Sequence, residues 1–338
     1  MAREIVINRF GGPEVLEART VPDSAPGPGE VRIRQTAIGV NFTDVHGRRG
    51  DYAPLRAMPM PLVLGIEAAG VVEALGQGVE HFRVGDRVAY ASGPIGAYRE
   101  VRNFPAARCV ALPAGVSDRD AAALLLKGLT VHMLVRRVFR VTTGAWAVVH
   151  SAAGGVGTLA GQWLRAIGAH AVGVVGSHDK VAAARAAGYE TVFVRGRDDW
   201  SARVRELSGG GAAVVYDAVG RDTWEGSLSC LAPRGHLVCF GNSSGLVPPF
   251  PVNELRDRGS LSVSWVRFSD YTANRPELEA AAQELFAALA GGTLKQPTPR
   301  FLPLEQAAEA HRLLESGRTT GPLVLVPLAT RMGERLWR

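Results

Sequence analysis

The run Val148-Val149-His150-Ser151-Ala152-Ala153-Gly154-Gly155-Val156-Gly157 constrains this chain more than any other segment. An apolar stretch ends in small residues and three glycines, and a helical pattern then opens over residues 158–167. A second apolar run, residues 171–175, follows Gly168. Strand, tight turn, helix, strand is the unit that seats a dinucleotide pyrophosphate on a helix N-terminus. There the unpaired backbone N–H groups and the helix dipole meet negative charge. The first glycine of the usual Gly-x-Gly-x-x-Gly pattern is Ala152 here. The motif alone therefore leaves open a glycine-rich turn with no ligand.

The surroundings support the first reading. From residue 145 to about residue 266, short β-type runs alternate with helical patterns, which predicts a doubly wound parallel sheet. Residues 1 to about 122 read instead as short strands separated by Gly/Pro punctuation, among them 30–37, 68–75, 87–90 and 97–101. Helical patterns over 276–290 and 304–316 and a last strand over 323–326 follow. The expected architecture is α/β. A Rossmann-type domain, residues 123–266, is inserted into a mostly-β domain of residues 1–122 and 267–338. Such arrangements place reactive clefts at domain junctions.

A length of 338 residues suits two domains. No stretch approaches the ~20 apolar residues of a membrane span, and no apolar core of a signal peptide follows Met1, so a cytoplasmic location is expected. Net charge is +6, but the chain has only three lysines and its arginines are scattered. No basic stripe interleaved with aromatics predicts nucleic-acid binding. The three cysteines, Cys109, Cys230 and Cys239, form no close pair and suggest neither a disulfide framework nor a zinc ribbon.

The second strand of the unit ends Val175-Gly176-Ser177-His178-Asp179-Lys180. A carboxylate at the strand end would accept from a ribose 2′-hydroxyl and repel a 2′-phosphate. Gly176-Ser177 removes that repulsion, and Ser177, Lys180 and, after the third strand, Arg195 offer a hydroxyl and two cations. This favours NADPH over NADH.

Several segments in order give the chain a family likeness. Gly39-Val40-Asn41-Phe42-Thr43-Asp44, Lys127-Gly128-Leu129-Thr130, the glycine turn itself, Asp217-Ala218-Val219-Gly220-Arg221-Asp222-Thr223-Trp224-Glu225 and Phe240-Gly241-Asn242-Ser243-Ser244-Gly245 carry it. The chain resembles the quinone oxidoreductase (zeta-crystallin-like) branch of the medium-chain dehydrogenases/reductases. The likeness runs from about residue 4 to residue 327 and implies a GroES-like fold for the β-rich domain.

Zinc-dependent members of that superfamily carry a Cys near the position of Asn41, a His-Glu pair near Ile66-Glu67 and a lobe of four cysteines. Asn41 and Ile66 cannot replace those ligands, since catalytic zinc needs three protein ligands and structural zinc four. The resemblance thus implies no metal and a structural role for Glu67. It implies that Asn41 contacts the nicotinamide side of the cofactor and that Lys127 and Thr130 lie near the ribose and diphosphate. Gly154, Gly155, Val156 and Gly157 would cradle the diphosphate, and Ser177, Lys180 and Arg195 the 2′-phosphate. Phe240, Gly241 and Asn242 would meet the carboxamide, and Arg318 would stand near a second phosphate-binding position.

On the substrate side, Asp44, His46, Arg48 and Tyr52 form one run. Relatives commonly carry Tyr where His46 stands. His46 is either a proton donor at neutral pH or a hydrogen-bonding wall residue. The implied activity is NADPH-dependent reduction of a quinone or related conjugated carbonyl. The alternatives are an enoyl or enone reductase and a non-catalytic NADPH-binding protein. A homodimer joined through the last strand of the cofactor sheet, residues 260–265, is also implied.

Overall fold

The computed structural model describes residues 1–327 except 296, 318 and 320, and leaves the side chain of residue 53 undescribed. The chain forms two compact units. One comprises Met1–Leu126, Thr272–Phe286 and the described part of Gln296–Arg338; the other comprises Lys127–Tyr271 and Ala287–Lys295. The first division falls inside the helix Asp118–His132.

The first unit is built on the strand Glu30–Val40. One half pairs with Val101–Pro105, the other with Leu323–Val326, and the opposite edge with Glu67–Leu75. Arg87–Ala91 and Val110–Ala111 extend the sheet on one side and Arg300–Pro303 on the other. A smaller sheet joins Ala2–Ile7 to Leu16–Val21 and Leu62–Val63. Val31, Ile33 and Ala37 alternate inward with no more than trace exposure, as a half-buried strand requires. Gln35 shares that face, and its amide donates to Ala97 O (2.8 Å) while its carbonyl accepts from the Tyr90 hydroxyl.

The strand expected over 97–101 is not present. Ala97 and Tyr98 donate their N–H groups to Gly65 and Leu64, outside the main ladder, and the strand runs Val101–Pro105 instead. The strands Leu16–Val21 and Arg300–Pro303 had no clear signal in the sequence: the first is largely exposed and the second only four residues long.

The second unit holds a six-stranded sheet whose described pairs are all parallel. Its order is Thr191–Val194, His170–Val175, Trp146–His150, Ala212–Asp217, Leu231–Cys239, Ser262–Trp265. In chain order that is 3-2-1-4-5-6, the doubly wound arrangement expected. The central strands are continuous apolar runs because both faces are covered. The switch point, where order reverses, lies between Trp146–His150 and Ala212–Asp217. Among the described residues no helix is long and apolar enough to cross a membrane.

The helix after the glycine turn is Gly155–Ile167, three residues longer at its start than its apolar pattern suggests. It buries Leu159, Ala160, Trp163 and Leu164 and stops at Gly168, whose φ of 80° closes the last turn. After the helix Asp118–His132 comes a six-residue π-helical segment, Met133–Val138. The Tyr216 hydroxyl donates to Leu134 O in that segment at 3.2 Å.

Candidate functional site

In the second unit, Gly154 is the N-cap of the helix Gly155–Ile167, and no side chain caps it. The N–H groups of Gly155, Val156 and Gly157 open the helix without intrahelical acceptors. Gly154 N donates to Ser151 O (2.8 Å), and Ser151 itself sits at φ 55°, in the left-handed region. A Cβ on Gly157 would lie 2.3 Å from Ser151 O and 2.7 Å from Ala152 Cα, so only glycine fits there. A Cβ on Gly155 would meet the Lys127 Cδ at 2.9 Å: the lysine stem lies along the turn. Thr130 is one turn further along that helix and half-buried. An uncapped helix N-terminus with crowded glycines and a lysine beside it fits a dinucleotide diphosphate.

The edge of the sheet beyond the second strand gathers three of the expected groups. Arg195 N donates to Val175 O (2.9 Å), and the Arg195 guanidinium passes 3.9 Å from where a Gly176 Cβ would stand. Ser177 precedes the 3-10 turn His178–Lys180, where Lys180 is exposed. The sequence reading overlooked Asp179. Its fully exposed carboxylate accepts from Ser177, and that bond holds it below the usual carboxylate range. A 2′-phosphate would take the Ser177 hydroxyl from Asp179.

Phe240, Gly241 and Asn242 follow the fifth strand. Phe240 N donates to Asp217 O (2.9 Å), and Gly241 passes so close to Ala218 that a Cβ would lie 2.9 Å from Ala218 O. The loops after the fourth and fifth strands are therefore packed as one layer. Arg318 lies outside the described residues.

In the first unit, Asn41 caps the helix Phe42–Arg49. Asp44 Oδ2 accepts from Asn41 N (2.8 Å), so the local sequence Asn-x-x-Asp fixes the helix start. Asn41 Nδ2 donates to Glu67 Oε2 at 2.8 Å, and Glu67 Oε1 accepts from Leu126 N at 2.6 Å. Glu67 is wholly buried and holds the Asn41 amide.

Asp44 and Arg48, two members of the substrate-side run, turn inward. Both are at most 2% exposed. Asp44 Oδ2 also accepts from the Tyr98 hydroxyl (3.1 Å), whose oxygen meets His311 Nε2 at 2.9 Å. Arg48 donates twice to Glu315 (2.9 and 2.8 Å), to Gly11 O (3.0 Å) and, at 3.3 Å, to His311 Nδ1. Since Nδ1 accepts from Arg48, the His311 proton is on Nε2 and is given to Tyr98. Helical spacing explains the split: 44, 45 and 48 lie on one face, 42, 46 and 49 on the other.

His46 and Tyr52 remain on the open side. His46 Nδ1 pairs with Asp51 Oδ2 at 2.7 Å, an interaction the sequence reading did not foresee. The imidazole stands 5.6 Å from the Tyr52 ring and 6.2 Å from Phe42. Burial pushes the Tyr52 phenol above its ordinary range, against a hydrogen bond with Thr43. Among the described residues no three His, Cys, Asp or Glu side chains gather to hold a metal ion.

Two families match this chain: the alcohol dehydrogenase GroES-like domain over residues 27–114 and the zinc-binding dehydrogenase family over residues 155–286. A quinone oxidoreductase of Pseudomonas aeruginosa is 44% identical over 97% of this chain and all of its own length. A 2-haloacrylate reductase of a Burkholderia species is 39% identical over 97% of this chain and all of its own. The crystal structure of an Escherichia coli quinone oxidoreductase complexed with NADPH superposes with a TM-score of 0.91, at 42% identity, over 96% of this chain and all of that one.

Proposed function

Because the chain belongs to the quinone oxidoreductase family of the medium-chain dehydrogenases/reductases, we propose that it is an enzyme that reduces quinones or related conjugated carbonyls with NADPH and without a metal ion. The observation that carries this reading is the glycine-lined helix N-terminus at 154–157 with Lys127 beside it. The same reading assigns the cofactor to residues 123–266 and the substrate side to residues 1–122 and 267–338, and places the protein in the cytoplasm.

When bound, NADPH supplies a hydride. The backbone N–H groups of Gly155, Val156 and Gly157, reached through Gly154, hold the diphosphate, and Lys127 and Thr130 stand at its ribose end. Ser177, Lys180 and Arg195 bind the 2′-phosphate, with the Arg195 fork suited to two phosphate oxygens. Phe240, Gly241 and Asn242 meet the carboxamide. The family likeness gives the nicotinamide contact to the Asn41 amide, which Glu67 fixes. A quinone becomes an aromatic oxyanion on reduction and asks little of an acid. Ile66 and the amide of Asn41 at the positions of metal ligands support chemistry without zinc.

The pair His46–Asp51 favours a second reading, reduction of the carbon–carbon double bond of an enone or similar acceptor. With Nδ1 held by Asp51, Nε2 can carry a proton to the carbon or oxygen that becomes basic. His46→Phe should leave 1,4-quinone turnover within about threefold of wild type and lower enone turnover by about 100-fold. Equal loss in both assays would remove the proton role.

A homodimer through Ser262–Trp265 fits the same reading. That strand ends the sheet, and Trp265, which pairs with Cys239 at its end, is 51% exposed. Light scattering should give twice the chain mass, and a monomer would argue against this edge.

A further inference from the structure

A second buried polar cluster lies directly beneath the switch point of the parallel sheet. Asp217 closes the fourth strand, and its two oxygens take separate duties. Oδ1 accepts from Val219 N (2.7 Å) and Gly220 N (3.0 Å), which folds the loop after that strand. Oδ2 accepts from the hydroxyls of Thr223 (2.7 Å) and Ser227 (2.8 Å). Ser227 Oγ also lies 2.9 Å from His150 Nε2.

Proton counting fixes the direction of this chain. The Ser227 hydroxyl has one proton, which goes to Asp217, so its oxygen accepts from His150 Nε2–H. The imidazole is then neutral with Nδ1 unprotonated, and Nδ1 is buried with no partner among the described residues. Burial pushes the His150 imidazole below its ordinary range, which agrees with the neutral form. Its ring stands edge-on to Trp200 at 4.9 Å. Asp217, Ser227 and His150 are each at most 1% exposed, so a hydrolytic Ser-His-Asp role is ruled out: no substrate reaches the serine.

His150 is the last residue of the first strand, and the next residue, Ser151, carries the left-handed φ of the turn. Ser151 O receives Gly154 N and sits against Gly157. The rotation of the backbone at 150–151 thus sets where the N–H groups of 155–157 point. We propose that Asp217, Ser227 and His150 form a positioning relay that locks the turn at 151–157 to the loop at 218–220, and that this lock sets NADPH affinity. The inference rests on the reading that this turn binds NADPH. It assigns the three residues to cofactor binding without contact to the cofactor.

The test uses Ser227→Ala and the wild-type chain. NADPH binding is measured by fluorescence titration, KM and kcat by steady-state turnover, and the His150 tautomer by long-range proton–nitrogen correlation in the wild type. The variant should raise the Kd and KM for NADPH about tenfold with kcat within about twofold. Ser227→Thr, which keeps the hydroxyl, should restore most of the affinity. The wild-type spectrum should show the His150 proton on Nε2. A variant that melts earlier but binds NADPH with unchanged Kd would overturn the relay and leave the NADPH reading standing. So would a wild-type His150 with its proton on Nδ1, a result that needs no variant to fold. A wild type that binds no NADPH would overturn both.

Discussion

Gly157→Ala should cost the chain its NADPH binding, with the Kd rising at least about 100-fold. The added Cβ would lie 2.3 Å from Ser151 O, 2.7 Å from Ala152 Cα and 2.8 Å from Ala152 C, all backbone atoms. None can turn away as a side chain would. Ser151 O is held by Gly154 N, and Gly157 O accepts from the buried Tyr189 hydroxyl at 2.6 Å. The helix start must move back from the turn, and the N–H groups then miss the diphosphate. The overpacking adds about 2–3 kcal/mol of destabilisation. Gly154→Ala is the internal control. There the Cβ meets Ser151 O at 3.1 Å, and φ of −81° suits any residue, so the effect should be far smaller. Titration and thermal melting of both variants measure the contrast; equal affinities would show that the turn does not seat the cofactor.

The second large effect lies in the first unit. Arg48→Met should destabilise the chain by about 2–3 kcal/mol, because the buried guanidinium's hydrogen bonds to Gly11 O, His311 and the part-exposed Glu315 are lost while Arg49 still pairs with Glu315. Arg48 is 1% exposed and anchors Glu315, Gly11 O and His311 together. Methionine fills much of the volume but leaves the Glu315 carboxylate without its two-pronged partner.

The same cluster carries a pH dependence. Burial, helped by the Arg48 charge, pushes the His311 imidazole down to about 3. An unfolded chain takes up a proton on this histidine near pH 6.5, while the folded chain resists until about pH 3. Stability must fall as the pH drops through that interval, with His311 adding up to about 1.4 kcal/mol per pH unit. Denaturant titrations at several pH values measure the slope. His311→Gln should flatten it, and a slope identical to wild type would assign the effect to other groups.

What the sequence made legible follows from the range of the interactions. The turn at 151–157, the helix start and the end of the second strand depend on neighbours close in sequence, and patterns record such neighbours. The parallel sheet was legible because its three central strands are continuous apolar runs that alternate with helical patterns. The Arg48–Glu315 pair and the Tyr98–His311 contact join residues more than two hundred positions apart. Residue type alone does not distinguish Arg48, which is buried, from Arg49, which is exposed. The helical phase could have done so: Asp44 and Arg48 are four apart and share the face of Val45. Asp51 was missed because it lies beyond the helix, where the backbone turns at Gly50 with φ of 76° and brings it back to His46. The role of Ser227 needed the three-dimensional count of its single proton.

The most direct measurement of the whole account is the absorbance of NADPH during multiple turnovers with a simple 1,4-quinone, beside an identical assay with NADH. Steady oxidation of NADPH is expected without added metal and in the presence of a chelator, with NADH at least about tenfold poorer through the lost pairing of Ser177, Lys180 and Arg195. A chain that binds NADPH tightly, yet oxidises it with no quinone and no enone, would contradict that account.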